Sequence, residues 1–344
     1  MANAQEKRVI NGTSSMNQLA PFKYPWAWQA YLDSIDNNWT PREVAMGKDK
    51  ADFELTLLPN EIHTFTTVLA YLSTADIMAM RNVSIAVMEK ITAPEIQQYL
   101  GRQTFEETLH TWTYQHCIEV LGLDQTEIYS RYERIPEIRA KILLSSSYTR
   151  RIIESDLTTR EGIEEFIHCY YFFSAIFEGC WFYHGFTPIF ALQRRNLMKG
   201  AGEQFQYILR DEVVHSKTGL NIIREICREE GVSLNQDRLN SMWMEAEAVE
   251  LAYINHAIPQ PFLGYNVEMH MGQFRFIANR RMKQMGMAEV YPGSECTVLW
   301  LDEQANINKE GNFFEVKVKE YRAGGALDFG GEGSAPKFEG DMEW

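Results

Sequence analysis

Two Glu-x-x-His pairs, Glu107 with His110 and Glu212 with His215, constrain this chain more than any other feature. The first stands in Phe105-Glu106-Glu107-Thr108-Leu109-His110-Thr111-Trp112-Thr113-Tyr114, the second in Arg210-Asp211-Glu212-Val213-Val214-His215. Read as helix, this spacing puts each carboxylate and imidazole on one face, with Tyr114 one turn beyond His110. A metal-ligating pair then lies beside an oxidisable phenol. The motif alone is weak, because about one copy would arise by chance in a Glu-rich chain, and a third, Glu165 with His168, has the same spacing. The surroundings separate them. Asp76 within residues 70–80 and Glu178 within residues 170–182 are each the only charge in an apolar run, and a lone acid in such a place needs a partner.

One Glu-x-x-His from each of two helices and one inward carboxylate from each of two others is the layout of a ferritin-like dimetal bundle. The expected fold is therefore all-α, a ferritin-like helical bundle with a dimetal-carboxylate site. No alternating apolar run is long enough for a sheet, and there is no internal repeat.

The chain has 344 residues and a net charge of −14. Its few basic runs, such as Thr149-Arg150-Arg151, are short, which argues against nucleic acid or an anionic membrane surface as partner. Five cysteines without a Cys-x-x-Cys fit a reducing, cytoplasmic setting rather than a disulfide scaffold. Residues 1–19 lack the apolar core of a secretory signal. The run from Cys169 to Leu192 has the length of a membrane span, but Glu178 near its centre and Pro188 within it favour a helix at the heart of a water-soluble bundle.

Three segments are expected: a flexible N-terminus over 1–20, a helical domain over 21–290, and a C-terminal extension over 291–344. A short helix is predicted near 26–35, and a long one from an N-cap at Asn60 to about Met88. Pro94 and Gly122 bracket a predicted helix pair whose second member runs from 102 to 121. Two shorter helices over 124–147 and a polar connection over 145–159 follow. The Glu178 helix comes next, then a break at Gly200-Ala201-Gly202, a helix from 203 to 230, and helices near 235–257 and 265–285. After Arg322 the chain becomes Gly-rich and ends in an acidic peptide bearing Phe338, Met342 and Trp344, the composition of a disordered tail with apolar anchors.

Mixed carboxylate and imidazole ligands without thiolate suit iron or manganese. Phe182 and Phe186 lie four and eight residues after Glu178, and Ile208 four before Glu212, so all three are expected to point toward the metal side and shield Tyr114. Asp211 is turned about 100° from Glu212 and is placed to accept the outer ring N–H of a ligand histidine. Glu165 and His168 fall off the Glu178 face and read as an ordinary i,i+3 pair.

With these residues in view, the chain resembles the radical-generating β subunit of class I ribonucleotide reductase over about residues 24–321. The resemblance is carried by Asn37-Asn38-Trp39, Ser73-Thr74-Ala75-Asp76, Phe105 through His110, Phe177-Glu178-Gly179, Gly202 through Glu212, and Asn312-Phe313-Phe314-Glu315. It implies Asp76, Glu107 and His110 on one metal, Glu178, Glu212 and His215 on the other, and Glu107 and Glu212 as bridges. By the same resemblance Tyr114 takes the stable-radical position. Trp39, Asp211 and His110 begin a proton-coupled electron path, of which Tyr321 is the last tyrosine before the partner. Much of the chain is similar to the chlamydial-type branch, which has phenylalanine at the radical position and glutamate at the first ligand; here Tyr114 and Asp76 stand there instead. Two iron, two manganese or a mixed pair all remain open. The implied partners are a catalytic α subunit docked by the C-terminal tail, a second copy in a homodimer, and in some branches a flavoprotein activase. The competing readings are another ferritin-like dimetal oxidase or hydroxylase acting on a small or lipid substrate, and a non-catalytic iron-storage protein.

Overall fold

The computed structural model describes residues 4–12, 18–262 and 264–305. The described residues are helical, joined by short loops, with no strand beyond one isolated bridge between Phe262 and Tyr265. Helices α1 (Pro25–Asp36) and α2 (Gly47–Leu55) lead into α3 (Pro59–Arg81), which continues as a π-helical turn, Asn82–Val87, to Lys90. Then come α4 (Pro94–Leu121), α5 (Gln125–Arg134), α6 (Pro136–Glu154) and α7 (Arg160–Tyr171), the last running into a π-helical segment, Phe172–Phe182. After α8 (Thr187–Arg194) the chain forms α9 (Lys199–Glu230), α10 (Gln236–Ala257), α11 (Val267–Gln284) and the short α12 (Leu301–Ala305). The bundle's centre is α3 packed on α4 and α9 packed on the π segment. The all-α, ferritin-like class read from the sequence is the observed one.

Several boundaries differ from expectation, each for a local reason. α3 begins two residues earlier, with its N-cap at Leu58 and Pro59 in its first turn, and Glu61 rather than Asn60 serves the end by accepting the Leu58 N–H at 2.9 Å. The expected helix pair is one 28-residue helix, α4, because Gly101 lies in open space and imposes no bend; Gly122, at φ 70°, does end it. α6 runs on to Glu154, so only residues 155–159 connect it to α7. The expected break at 200–202 is instead the first turn of α9. Its free N–H groups at Gly200 and Ala201 are capped by the Asp49 carboxylate at 3.1 and 2.6 Å, and a Cβ on Gly200 would meet that carboxylate and the Ala45 carbonyl oxygen at 2.7 Å. Glycine here admits close packing and does not interrupt the helix.

The N-terminal stretch is not loose where it is described. Val9 and Ile10 are fully buried, and Lys7 Nζ ties the Leu19 and Pro21 carbonyls to Glu95. At the other end, residues 291–305 still belong to the packed body: Val298 and Leu301 are buried, and Asp302 accepts hydrogen bonds from Tyr183 and Arg280. Tyr321 and the tail with Phe338, Met342 and Trp344 lie outside the described residues. All five cysteines are free thiols. No described helix is long and apolar enough to cross a membrane; the apolar run from Cys169 is broken by a turn over residues 183–186 before Pro188 opens α8.

Candidate metal centre

Helical periodicity on four elements converges on one point. α3 brings Asp76, α4 brings Glu107 and His110, the π segment brings Glu178, and α9 brings Glu212 and His215, all fully or almost fully buried. Their donor atoms form two adjoining groups, Asp76–Glu107–His110–Glu212 and Glu107–Glu178–Glu212–His215, within each of which the atoms lie within 4.8 Å of one another. Glu107 and Glu212 belong to both groups. His110 Nδ1 is 3.3 Å from Glu212 Oε1 and 3.7 Å from Glu107 Oε2. His215 Nδ1 is 3.1 Å from Glu107 Oε1, 3.4 Å from Glu212 Oε2 and 3.6 Å from Glu178 Oε2.

All eight carboxylate oxygens of these four acids, and the inward Nδ1 atoms of both histidines, are buried without a hydrogen-bond partner. So many unsatisfied polar atoms at one point would cost several kcal/mol as they stand. A pair of divalent cations would satisfy them, because four carboxylates bring four negative charges to match two such ions. The donor set thus fits two hard or borderline metals, and it does not fit zinc's tetrahedral thiolate sites.

The proton affinities show the same demand for positive charge. Burial, followed by repulsion from neighbouring carboxylates, pushes the Asp76 and Glu178 carboxyls well above the ordinary range. Burial disfavours charging His110, but the neighbouring carboxylates of Asp211, Glu107 and Glu212 outweigh it and raise the imidazole; His215 is raised by its neighbours Tyr99, Glu107 and Glu106. Glu212 is the exception. Burial raises it, yet its close neighbours Glu178, His110 and His215 hold it below the usual carboxylate range.

The outer nitrogens of both histidines are held by carboxylates, in a crossed pattern. His110, on α4, meets Asp211 of α9 through Nε2 at 3.3 Å, whereas His215, on α9, meets Glu106 of α4 through Nε2 at 2.8 Å. A carboxylate on the outer ring N–H fixes tautomer and ring orientation. Asp211 was legible from its place just before Glu212. Glu106, missed in the sequence, stands in the same place before Glu107, so one pattern, acid-Glu-x-x-His, gives both. Beyond the acids the two sides diverge. Asp211 Oδ2 also accepts Trp39 Nε1–H at 2.8 Å, while Glu106 accepts Arg102 Nε at 3.1 Å.

Trp39 is buried, its ring centre 6.3 Å from that of His110 and 5.3 Å from that of Tyr207. Tyr114 is fully buried; burial, then the charge of Asp76, lifts the phenol well above its normal range. Phe182 and Phe186 stack at 6.2 Å, and Phe186 meets Phe205 edge-on at 5.3 Å. Phe205 is the ring that touches Tyr114, at 5.6 Å. It too was missed, though it lies seven residues before Glu212 and so on its face. Ile208 is fully buried on α9. Glu165 and His168 are elsewhere: Glu165 pairs with Arg151 and Arg238, and His168 bridges the Glu164 carbonyl and the Asn235 N–H.

The family model described as ribonucleotide reductase, small chain, matches residues 16–297. A ribonucleoside-diphosphate reductase subunit beta of Chlamydia pneumoniae is 36% identical over 94% of this chain and 95% of its own length. Among solved structures, a ribonucleotide reductase R2 subunit from Clostridium botulinum superposes with a TM-score of 0.78 at 23% identity, covering 87% of this chain and 94% of its own. An R2-like ligand-binding oxidase with a reconstituted Mn/Fe cofactor has the same fold, with a TM-score of 0.61 at 16% identity over 80% of this chain and 98% of its own.

Proposed function

The chain belongs to the small subunits of class I ribonucleotide reductase, an oxidoreductase family, and from that premise we propose that its buried cluster generates and holds the oxidant with which a separate catalytic subunit begins ribonucleotide reduction. The observation that carries the reading is the convergence of Asp76, Glu107, His110, Glu178, Glu212 and His215, their inward atoms unsatisfied, beside the buried phenol of Tyr114. In this reading these six residues would hold the metal pair. Iron, manganese or one of each suits the donor set. When bound, such a pair supplies one-electron oxidation driven by an oxygen species.

The protein's own residues do the rest. Tyr114 gives up an electron and its phenolic proton, and Asp76, whose charge raises the phenol, is the group that receives the proton. Phe205, Phe186 and Phe182 keep water from the phenol, and Ile208 closes the same apolar lining. Trp39 is the way out: an electron entering or leaving its ring is matched by a proton shift along the hydrogen bonds that join Trp39 Nε1, Asp211 Oδ2 and His110 Nε2. Tyr321 extends this path toward the catalytic subunit, and the acidic C-terminal peptide docks there by Phe338, Met342 and Trp344. The working assembly is a cytoplasmic homodimer paired with that subunit, and a flavoprotein activase serves it if the metals are manganese.

Metal analysis tests the ligand set. Loaded wild-type chain should hold two ions, whereas Glu107→Ala and His215→Ala should fall well below that and form no oxidant. Full metal content in either variant would overturn the assignment.

A further inference from the structure

A second group of buried charges lies in the core, outside the six cluster residues. Lys141 of α6 is fully buried and pairs with Glu250 of α10, Nζ to Oε2 at 2.5 Å. Glu250 Oε1 meets His270 Nε2 of α11 at 2.7 Å, and His270 Nδ1 meets the Tyr265 hydroxyl at 2.7 Å. The ammonium is also caged by aromatic faces. It lies 4.0 Å from the ring centre of Tyr71, 4.3 Å from Tyr253 and 4.7 Å from Trp181.

Two of these rings belong to the segments that carry the metal-site acids: Tyr71 is five residues before Asp76 on α3, and Trp181 three after Glu178 on the π segment. Both are oxidisable. Each also has a buried polar atom, Tyr71 Oη and Trp181 Nε1, with no hydrogen-bond partner. Trp39 differs on both counts, since its N–H is bonded to a carboxylate and no cation sits on its face among the described contacts. Tyr114 differs on one count: its hydroxyl is unpaired too, but among the described contacts no cation sits on its face.

We propose that Lys141 is an electrostatic insulator: its caged ammonium keeps Tyr71, Trp181 and Tyr253 from yielding an electron to the stored oxidant, and so confines that oxidant to Tyr114 and Trp39. The inference rests on the function proposed above. Removing an electron from a ring leaves positive charge beside the ammonium, and in a buried site that repulsion is little screened. The reaction held back is balanced as follows. The phenoxyl at Tyr114 takes one electron from the caged ring and a proton from the Asp76 carboxyl, returning to a phenol. The caged ring becomes a radical, and a tyrosine there passes its proton to Glu250, which can receive it only once Lys141 no longer neutralises it. Lys141 therefore acts through its neighbours, as a positioning residue for charge.

The test is electron paramagnetic resonance on the full-length, metal-loaded chain after oxidation, with ring-deuterated tyrosine or tryptophan to identify the signal. Wild type and Lys141→Arg, which keeps the cation, should show the Tyr114 signal alone. Lys141→Met should lose that signal several-fold faster and gain a second ring signal that Tyr71→Phe or Trp181→Phe diminishes. Lys141→Gln keeps a hydrogen-bond donor for Glu250 and should behave the same way if Lys141→Met does not fold. A merely structural lysine would lower the melting temperature without a second signal, and an unchanged lifetime with Tyr114 alone in Lys141→Gln would overturn the proposal. Absence of any Tyr114 signal in wild type would instead overturn the functional reading on which the inference rests.

Discussion

Trp39 Nε1 donates a 2.8 Å hydrogen bond to Asp211 Oδ2, and that same oxygen lies 3.3 Å from His110 Nε2. A loop residue far from α9 in sequence is thereby wired through one carboxylate to an imidazole of the cluster. The other outer carboxylate, Glu106, ends instead on a guanidinium, that of Arg102. Arginine cannot be deprotonated in a protein, so only the Asp211 side offers a group that can exchange both an electron and a proton.

The first prediction follows from that asymmetry. Trp39→Phe removes the indole but leaves every residue of the cluster in place, so two metals should still bind and the fold should persist. Turnover with the catalytic subunit should fall by about 10²-fold or more, because a relay step is lost rather than weakened. Metal analysis and a coupled turnover assay read the two quantities separately; normal turnover would remove Trp39 from the path.

The raised proton affinities at the cluster set a pH dependence whose sign can be worked out. Asp76 and Glu178 bind protons more tightly folded than unfolded, and so do His110 and His215. Each contribution to the stability of metal-free protein is complete below the unfolded value, about 4 for the carboxyls and about 6.5 for the imidazoles, and is lost as pH rises above it. Metal binding requires the deprotonated ligands and strengthens over the same range. The gap in melting temperature between loaded and metal-free protein should therefore widen from pH 6 to pH 8. His184, which burial lowers to about 3, lies outside the cluster with its ring centre 4.2 Å from that of His270, so its contribution should cancel in the difference. A gap independent of pH would contradict the assignment of these groups as ligands.

Deleting residues 335–344 should leave metal content and the oxidised cofactor intact while removing turnover with the catalytic subunit. The deleted peptide carries Phe338, Met342 and Trp344 among acidic residues, a set of large anchors that can offset the entropy of ordering a polar segment. Added as a free peptide, it should compete with full-length chain. Undiminished turnover by the truncated protein would end the docking hypothesis.

How far these features were legible in the sequence depends on the kind of signal each leaves. Asp76 and Glu178 could be read because a single charge in an apolar helix is conspicuous, and the Glu-x-x-His pairs because a spacing of three shares a face. Asp211 could be read from its offset to Glu212; the same offset would have yielded Glu106. Trp39 was a different matter. No periodicity connects residue 39 to α9, so only family resemblance pointed to it. The π-helical segments at 82–87 and 172–182 have no local signature in composition, since the wider turn is set by what packs around them: a Cβ on Gly179 would come within 2.4 Å of Ser216 Oγ and 2.8 Å of Arg281 Nε. Likewise Gly200 and Gly202 looked like a break in sequence because the carboxylate that caps their turn, Asp49, comes from another helix.

The central claim is that Tyr114 holds the oxidant, and Tyr114→Phe tests it most directly, since only one hydroxyl is removed from a fully buried ring. The measurement is electron paramagnetic resonance paired with turnover on freshly oxidised, metal-loaded protein. Wild type should give a sharp phenoxyl signal that narrows with ring-deuterated tyrosine, while Tyr114→Phe should keep both metals and the fold yet lose signal and turnover together. Turnover at the wild-type level in Tyr114→Phe would contradict the account and place the oxidant on the metals themselves.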